Sequence, residues 1–322
     1  MPAPTLPAPS APVPVATAPP GSPYAPQATA LLADTVHGTV ARQAAAFPHR
    51  TAVRAHDATL TYTALDRRAN HLAHRLRALG VREGDTVAVC LEPSARQVTA
   101  LLAVLKAGGA YLALGPGEHP RGGDRAALLR NTGARAVVTQ ELFAGDWNET
   151  IPTLLLGPTT VPAPLGAVPP ATGVPAHGPA YVLPVTGPAS APWGVCVPHK
   201  ALTALAEDAR FLPVRPGDVA LSAYGPDGGS ALGLWAPLMA GAQLLIAPRG
   251  LGPRELATLI REERVTVARL GAPAFREMAG EGLAALKGLR CLVVTTASLS
   301  SEELSLVRRE LPRTLLVETV TL

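Results

Sequence analysis

The side chains that most often perform chemistry are few in this sequence and lie far apart. Its three cysteines have no metal-ligand spacing, and their odd number argues against a disulfide framework. We predict buried, inert thiols in a reducing, cytoplasmic setting (Cys90, Cys196 and Cys291). Among the eight histidines, only His71 and His74 can share a helix face, where a solvated pair is commoner than a metal site. The sequence thus predicts no metal site and indicates no catalytic side chain.

Motifs of several enzyme classes are missing. No G-x-G-x-x-G follows the first strand, and no Gly-x-Ser-x-Gly nucleophile elbow occurs. The net charge is only +4, and the basic residues are scattered among acidic ones. They form no basic stripe, which argues against a nucleic-acid partner. No run of 18 apolar residues is present, so we predict no membrane span.

Strand and helix patterns alternate along most of the chain. A helix is predicted at 35–47, a hairpin turns at Asp57-Ala58, and a helix with leucines every three or four residues ends at Gly80. Short apolar strands and amphipathic helices then alternate to Thr139 and resume after 180. This alternation predicts an α/β fold with mostly parallel sheets flanked by helices.

Composition divides the chain into three predicted parts. Residues 1–33 are rich in Pro and Ala and are predicted to form a disordered, partly polyproline-II tail. Residues 34–179 form a first α/β subdomain that ends in a Pro- and Gly-rich loop. Residues 180–322 form a second α/β subdomain.

Four segments, in order, carry a resemblance to a known family. They are LTYTAL at 60–65, LKAGGAYL at 105–112, AYVLPVTGPASAPWGV at 180–195 and the stretch 227–235 with Leu234-Trp235. They resemble core motifs of nonribosomal-peptide-synthetase adenylation domains, which belong to the adenylate-forming superfamily. The resemblance implies a fold like the N-terminal subdomains of adenylate-forming enzymes.

The third segment corresponds to the loop that wraps ATP phosphates with hydroxyls and amide N–H groups in this family. The resemblance assigns Thr186, Gly187, Ser190 and Gly194 to phosphate. Two hydroxyl positions of the family pattern hold Val185 and Ala189 here, and a third holds Pro188. Trp193 occupies the position of the family's phosphate-binding lysine. Because a charge-assisted contact is worth roughly 1.5–3 kcal/mol, we expect weakened ATP binding.

The resemblance also places an acyl pocket. In the fourth motif an aspartate pairs with the ligand's amino group, and Asp227 or Gly228 occupies its place here. Asp227 can also be part of a plain turn. By position, Leu232, Arg269, Val294 and Thr296 would line the pocket. Arg269 would favour an acidic ligand there, although an isolated arginine at a strand end is often solvated.

Several parts of a whole adenylation domain are not expected in this sequence. The chain stops at Leu322, before the family's adenine-binding motif with its Mg²⁺ ligand, and the C-terminal domain with the catalytic lysine is absent. Three functions stay open. The chain is a catalytically impaired binding or scaffolding module of secondary metabolism, or an enzyme that adenylates an amino or carboxylic acid, or a truncated remnant. The enzyme would need ATP and Mg²⁺ and a partner supplying the missing domain. An assembly-line partner or carrier protein is the expected protein partner.

Overall fold

The computed structural model describes residues 35–115, 125–146, 151–157, 168–186, 192–208, 212–223, 231–281, 283–295 and 299–319. The helices are α1 (Val36–Ala46), α2 (Tyr62–Ala78), α3 (Ala95–Lys106), α4 (Arg125–Asn131), α5 (His199–Glu207), α6 (Ala231–Met239), α7 (Pro253–Glu262), α8 (Ala272–Glu281) and α9 (Ser301–Glu310). The strands are β1 (Thr51–Arg54), β2 (Thr59–Thr61), β3 (Thr86–Cys90), β4 (Ala110–Ala113), β5 (Ala134–Gln140), β6 (Thr153–Leu156), β7 (Pro179–Thr186), β8 (Pro192–Pro198), β9 (Val219–Ser222), β10 (Gln243–Ile246), β11 (Val267–Gly271), β12 (Cys291–Thr295) and β13 (Leu315–Thr319). Short 3-10 helices lie at Glu141–Asp146 and Leu283–Gly288.

The described strands form two sheets. The large sheet has seven strands in the order β13-β12-β11-β9-β10-β1-β2, and the small sheet has six in the order β6-β5-β3-β4-β7-β8. Neighbouring strands run parallel except in the hairpins β1–β2 and β7–β8. The predicted α/β class with mostly parallel sheets is confirmed. Strand membership does not follow the predicted division at residue 180, because β1 and β2 join the sheet of the second segment.

The largest core lies between the sheets. It consists of apolar residues of α1, α2, α3 and α6 together with residues from both sheets, such as Val53 and Leu244 of the large sheet and Val87 of the small one. A second core lies between the large sheet and α7, α8 and α9. Strand β10 is therefore covered on both faces, with Leu244 and Ile246 in the first core and Leu245 in the second.

Local sequence signals explain where the elements begin and end. Ser300 caps α9 in a capping box, since Glu303 N donates to its side chain at 3.2 Å and Ser300 N donates to Glu303 at 2.6 Å. Gly108 ends the turn after α3 with a positive φ of 93°. A Cβ on Gly109 would lie 2.9 Å from the Asp85 carbonyl oxygen. The paired glycines of 105–112 thus permit a tight helix end and close strand packing.

Some expectations need correction. Two elements of the second half, β9 and α6, were not among the predicted strands and helices, because 3.6-residue periodicity is weak in the almost wholly apolar α6. All three cysteines are free, but only Cys90 and Cys291 are buried. The prediction of a buried thiol is wrong for Cys196, which lies exposed on β8. That strand ends the small sheet, so its side chains meet fewer neighbours.

Candidate functional site

The β7–β8 hairpin carries the segment that resembles a phosphate loop. Its two strands pair antiparallel from Pro179 opposite Pro198 to Thr186 opposite Pro192. Gly187 and Ser190, which the sequence assigns to phosphate, lie outside the described residues between these strands. Thr186 is described only as the last backbone position of β7. The hairpin therefore holds both ends of the predicted loop in one place.

One face of this hairpin is apolar and open to solvent. Val185 lies opposite Trp193, and Leu183 lies opposite Val195. Leu183 is 44% exposed, Val185 37%, Trp193 46% and Val195 50%. These four side chains, called the hairpin patch below, include the family's lysine position and one of its hydroxyl positions. Neither pair offers a charge or a hydroxyl to a phosphate.

Gly194 has a packing role that accounts for its identity. A Cβ at this position would lie 2.3 Å from Val182 Cγ1 and 2.8 Å from Thr132 Cγ2. Thr132 follows α4, which packs on the face of the hairpin opposite the patch. A larger residue would push the end of α4 away from β8, so packing against α4 accounts for the glycine.

The predicted acyl-pocket residues separate onto two faces of the large sheet. Arg269 pairs in register with Ser222 of β9 and Val293 of β12. Leu232 packs against the small core that contains Val293. Val294 belongs instead to the core under α7 and α8. The structure thus brings Arg269 and Leu232 to one face and places Val294 on the other.

Two residues missed by sequence reasoning lie beside Arg269. Val293 is buried on the same face of β12, one position from the predicted residue. A Cβ on Gly233 of α6 would lie 3.3 Å from Arg269 Cδ and 3.4 Å from its Nη1. The period-two alternation of β12 could have indicated Val293, but nothing in the sequence showed that α6 passes this close.

The electrostatic environment of Arg269 differs from that of a solvated surface arginine. Burial lowers the pKa of its guanidinium, because removal from water disfavours the charged form. Arg269 is the middle residue of β11 and not a residue at the end of that strand. Asp227, Gly228 and Thr296, the other predicted pocket residues, lie outside the described residues.

Aromatic residues from all four family-like segments tie the elements around these sites together. Trp235 Nε1 donates to Tyr111 Oη at 2.8 Å. The Tyr111 and Tyr181 rings stack with centroids 5.6 Å apart. Tyr62 Oη donates to the Ala242 carbonyl at 2.7 Å, just past α6. These four residues are called the aromatic frame below. They connect β4, β7, α2 and α6.

A buried polar cluster lies where β8 runs into α5. Val36 N donates to His199 Nδ1 at 3.3 Å, and the His37 and His199 rings meet edge to face with centroids 5.2 Å apart. Burial lowers the pKa of His37 to about 3, with His199 and Lys106 adding to the shift. Burial likewise lowers the pKa of His199 to about 4. Lys106 Nζ lies 2.8 Å from Asp66 Oδ1. Both imidazoles are therefore neutral at pH 7.

Within the described ranges, no three His, Cys, Asp or Glu side chains group closely enough to hold a metal ion. None of the helices described is both long and apolar enough to cross a membrane.

The chain matches known proteins over nearly all of its described part. The AMP-binding enzyme family matches residues 40–319. Phosphinothricin tripeptide synthetase PhsC of Streptomyces viridochromogenes is 38% identical over 269 residues, which are 81% of this chain and 24% of that protein. Tyrocidine synthase 3 of Brevibacillus parabrevis is 30% identical over 86% of this chain and 4% of its own length. The chain thus spans about a quarter or less of these two curated relatives.

Solved structures give the same result for the fold. The nonribosomal peptide synthetase FmoA3 with AMPPNP bound superposes with a TM-score of 0.77 at 29% identity, over 89% of this chain and 31% of FmoA3. The N-terminal subdomain of Klebsiella oxytoca NpsA superposes with a TM-score of 0.78 at 22% identity, over 90% of this chain and 73% of that one. By fold, order of motifs and sequence match, the chain belongs to the AMP-binding enzyme family, with nonribosomal-peptide-synthetase adenylation domains as its relatives.

Proposed function

We propose that this chain is a binding or scaffolding module of secondary metabolism that keeps the adenylation fold and binds ATP poorly. The observation that carries the proposal is the Val185–Trp193 pair. These residues occupy a hydroxyl and a lysine position of the family's phosphate loop, and both side chains are apolar and solvent-exposed on the hairpin. A phosphate approaching this face would lose water without gaining a cation or a hydroxyl.

The described residues of the hairpin therefore do not fit a nucleotide triphosphate with its Mg²⁺. Trp193 offers one indole N–H, a neutral donor, where a lysine would supply a charge-assisted contact. The missing charge alone accounts for roughly 1.5–3 kcal/mol, or about tenfold to 150-fold in affinity.

The ligand we propose for the module is a small carboxylic or amino acid with an additional acidic group. This class is supported by Arg269, a partly buried cation beside Leu232, Val293 and Gly233. A cation already removed from water gains more from a carboxylate than a solvated one does. An assembly-line protein, such as a carrier protein, is the proposed protein partner.

Calorimetric titration of the full chain with ATP and Mg²⁺ tests the main proposal. We expect no saturable binding by the native chain at millimolar ATP. Trp193→Lys, alone or with Val185→Thr, should raise affinity by about tenfold or more, because it restores a charge-assisted contact. Leu183→Lys is the matched control, since it adds the same charge to the same face at a position without a phosphate role.

The outcomes separate the alternatives. Saturable binding by the native chain would contradict impairment and support the second candidate, an enzyme that adenylates an amino or carboxylic acid with ATP and Mg²⁺. An equal gain from Leu183→Lys and Trp193→Lys would show a general effect of charge and remove the support for the loop assignment.

A further inference from the structure

The hairpin patch is an exposed apolar surface at the edge of a sheet. β8 ends the small sheet, and among the described residues no strand pairs with its outer side. The four patch residues form two directly opposed cross-strand pairs, all exposed by a third or more. Uncovered apolar edges invite pairing with other chains, and folded proteins usually cover or charge them. This patch carries no charge, so a cover is to be expected.

The chemistry of the patch suits a proline-rich peptide. An exposed tryptophan flanked by aliphatic side chains resembles the aromatic grooves that dock polyproline-II segments, which lose little conformational entropy on binding. Residues 1–33 of this chain contain ten prolines and no Asp, Glu, Lys or Arg. Contact between the hairpin patch and this segment would therefore not desolvate a charged group.

The start of the described chain lies close to the end of the patch strand. Val36 N donates to His199 Nδ1 at 3.3 Å, and His199 follows directly after the last residue of β8. Trp193 lies six residues up that strand from His199, roughly 20 Å away at the usual rise per residue. The ten residues from Pro26 to Val36 can span about 30 Å when extended. The proline-rich segment can therefore reach the patch without strain.

We propose that residues 19–26, the segment PPGSPYAP, cover the hairpin patch within the same molecule, with prolines packed on Trp193. Because the segment and the patch belong to the same chain, the contact does not need a high intrinsic affinity. A short linker gives an effective concentration on the order of 1 mM, so an intrinsic Kd below that value keeps most molecules covered. The covering segment would lie on Trp193, which stands at the family's lysine position. The proposed function says only that this surface has lost its phosphate contacts, whereas this inference gives the surface another occupant.

Acrylamide quenching of Trp193 fluorescence in the full chain tests this inference. Trp147→Phe is used as the background, because it leaves Trp193 and the buried Trp235 as the emitters. Serine at Pro19, Pro20, Pro23 and Pro26 should raise the quenching constant by loss of cover. The matched control places serine at the four distant prolines Pro2, Pro4, Pro7 and Pro9 and should leave quenching unchanged.

A second measurement distinguishes the other occupants. Val185→Thr keeps the β-branched shape of the strand residue but weakens the apolar contact, and it should raise quenching in the background chain and not in the 19–26 serine variant. Equal quenching of the background and 19–26 serine chains at micromolar protein would overturn the proposal. Protection of Trp193 that appears only as protein concentration rises would overturn it as well, because a second copy would then be the cover.

Discussion

Tyr181 and Val185 lie on the same face of β7, yet they belong to two regions with opposite properties. At Tyr181 the face enters the aromatic frame and packs on Tyr111. Four residues later, at Val185, the same face is solvent-exposed opposite Trp193. The frame agrees with the adenylation-domain pattern at every one of its residues, whereas the hairpin patch departs from it at Val185 and Trp193.

The difference follows from how much stability a substitution costs in each region. A frame residue touches several elements at native packing density, so each substitution there leaves a cavity or a clash. A patch residue has solvent on one side, and its replacement changes the free energy of unfolding little. A chain can therefore keep the fold of a family while its ligand chemistry changes, which is why the fold alone does not establish activity here.

The largest expected effect is at the centre of the frame. Trp235→Ala should lower the free energy of unfolding by about 3–5 kcal/mol, because it empties a fully buried volume. It also removes the donor that Tyr111 Oη accepts from. Urea unfolding followed by circular dichroism measures the change. Trp193→Ala is the matched control, and its cost should be about 1 kcal/mol or less. Similar losses of unfolding free energy for Trp235→Ala and Trp193→Ala would contradict the difference between the frame and the patch.

A somewhat smaller effect is expected at the ion pair between Asp66 of α2 and Lys106 of α3. Asp66→Asn should destabilise the fold by about 3 kcal/mol, since it leaves the nearly fully buried Lys106 ammonium without its counter-charge. Asp66→Asn with Lys106→Met removes both charges and should cost less than Asp66→Asn alone. A double-mutant cycle in denaturant measures this coupling. Strictly additive losses would show that the pair does not act as a unit.

Sequence reasoning succeeded where a local signal determined the structure. The apolar spacing of α2 forms the predicted helix, and the capping box at Ser300 and the glycine pair at 108–109 are local signals of the same kind. The parallel arrangement followed from the alternation of strands and helices. The family resemblance was specific because its motifs coincide with the frame, whose tyrosines and tryptophan fill defined volumes.

Sequence reasoning failed where contacts between residues far apart in the chain determine the structure. That β1 and β2 join the sheet of the second segment depends on the pairing of Val53 with Leu244, far apart in the chain. The side of the sheet on which Val294 lies depends on register, and a shift of one residue exchanges the two faces. The desolvation of Arg269 depends on the approach of α6 at Gly233, which no local pattern records. The exposure of the hairpin patch likewise depends on the position of β8 at the end of the small sheet, which no local pattern records.

The smallest effect per residue separates the two regions by pH. The unfolded-state pKa of histidine is near 6.5, whereas burial lowers the folded-state pKa of His37 to about 3 and of His199 to about 4. Between these values the unfolded chain binds protons that the folded chain does not, so stability falls as pH falls below 6.5. At pH 5 each histidine should cost up to about 2 kcal/mol relative to pH 7.5.

Urea midpoints at the two pH values measure this loss, and His199→Gln should reduce it by removing one titrating group. Burial is the main cause of the lowered pKa values, Lys106 adds to the effect by repelling a protonated His37, and Asp66 is already paired with Lys106. The hairpin patch has no titrating side chain, so the quenching of Trp193 should stay constant from pH 7.5 to pH 5.5 while the urea midpoint falls. If quenching rose in step with the falling midpoint, the hairpin would be energetically coupled to the buried end of β8, and the two regions would act as one unit.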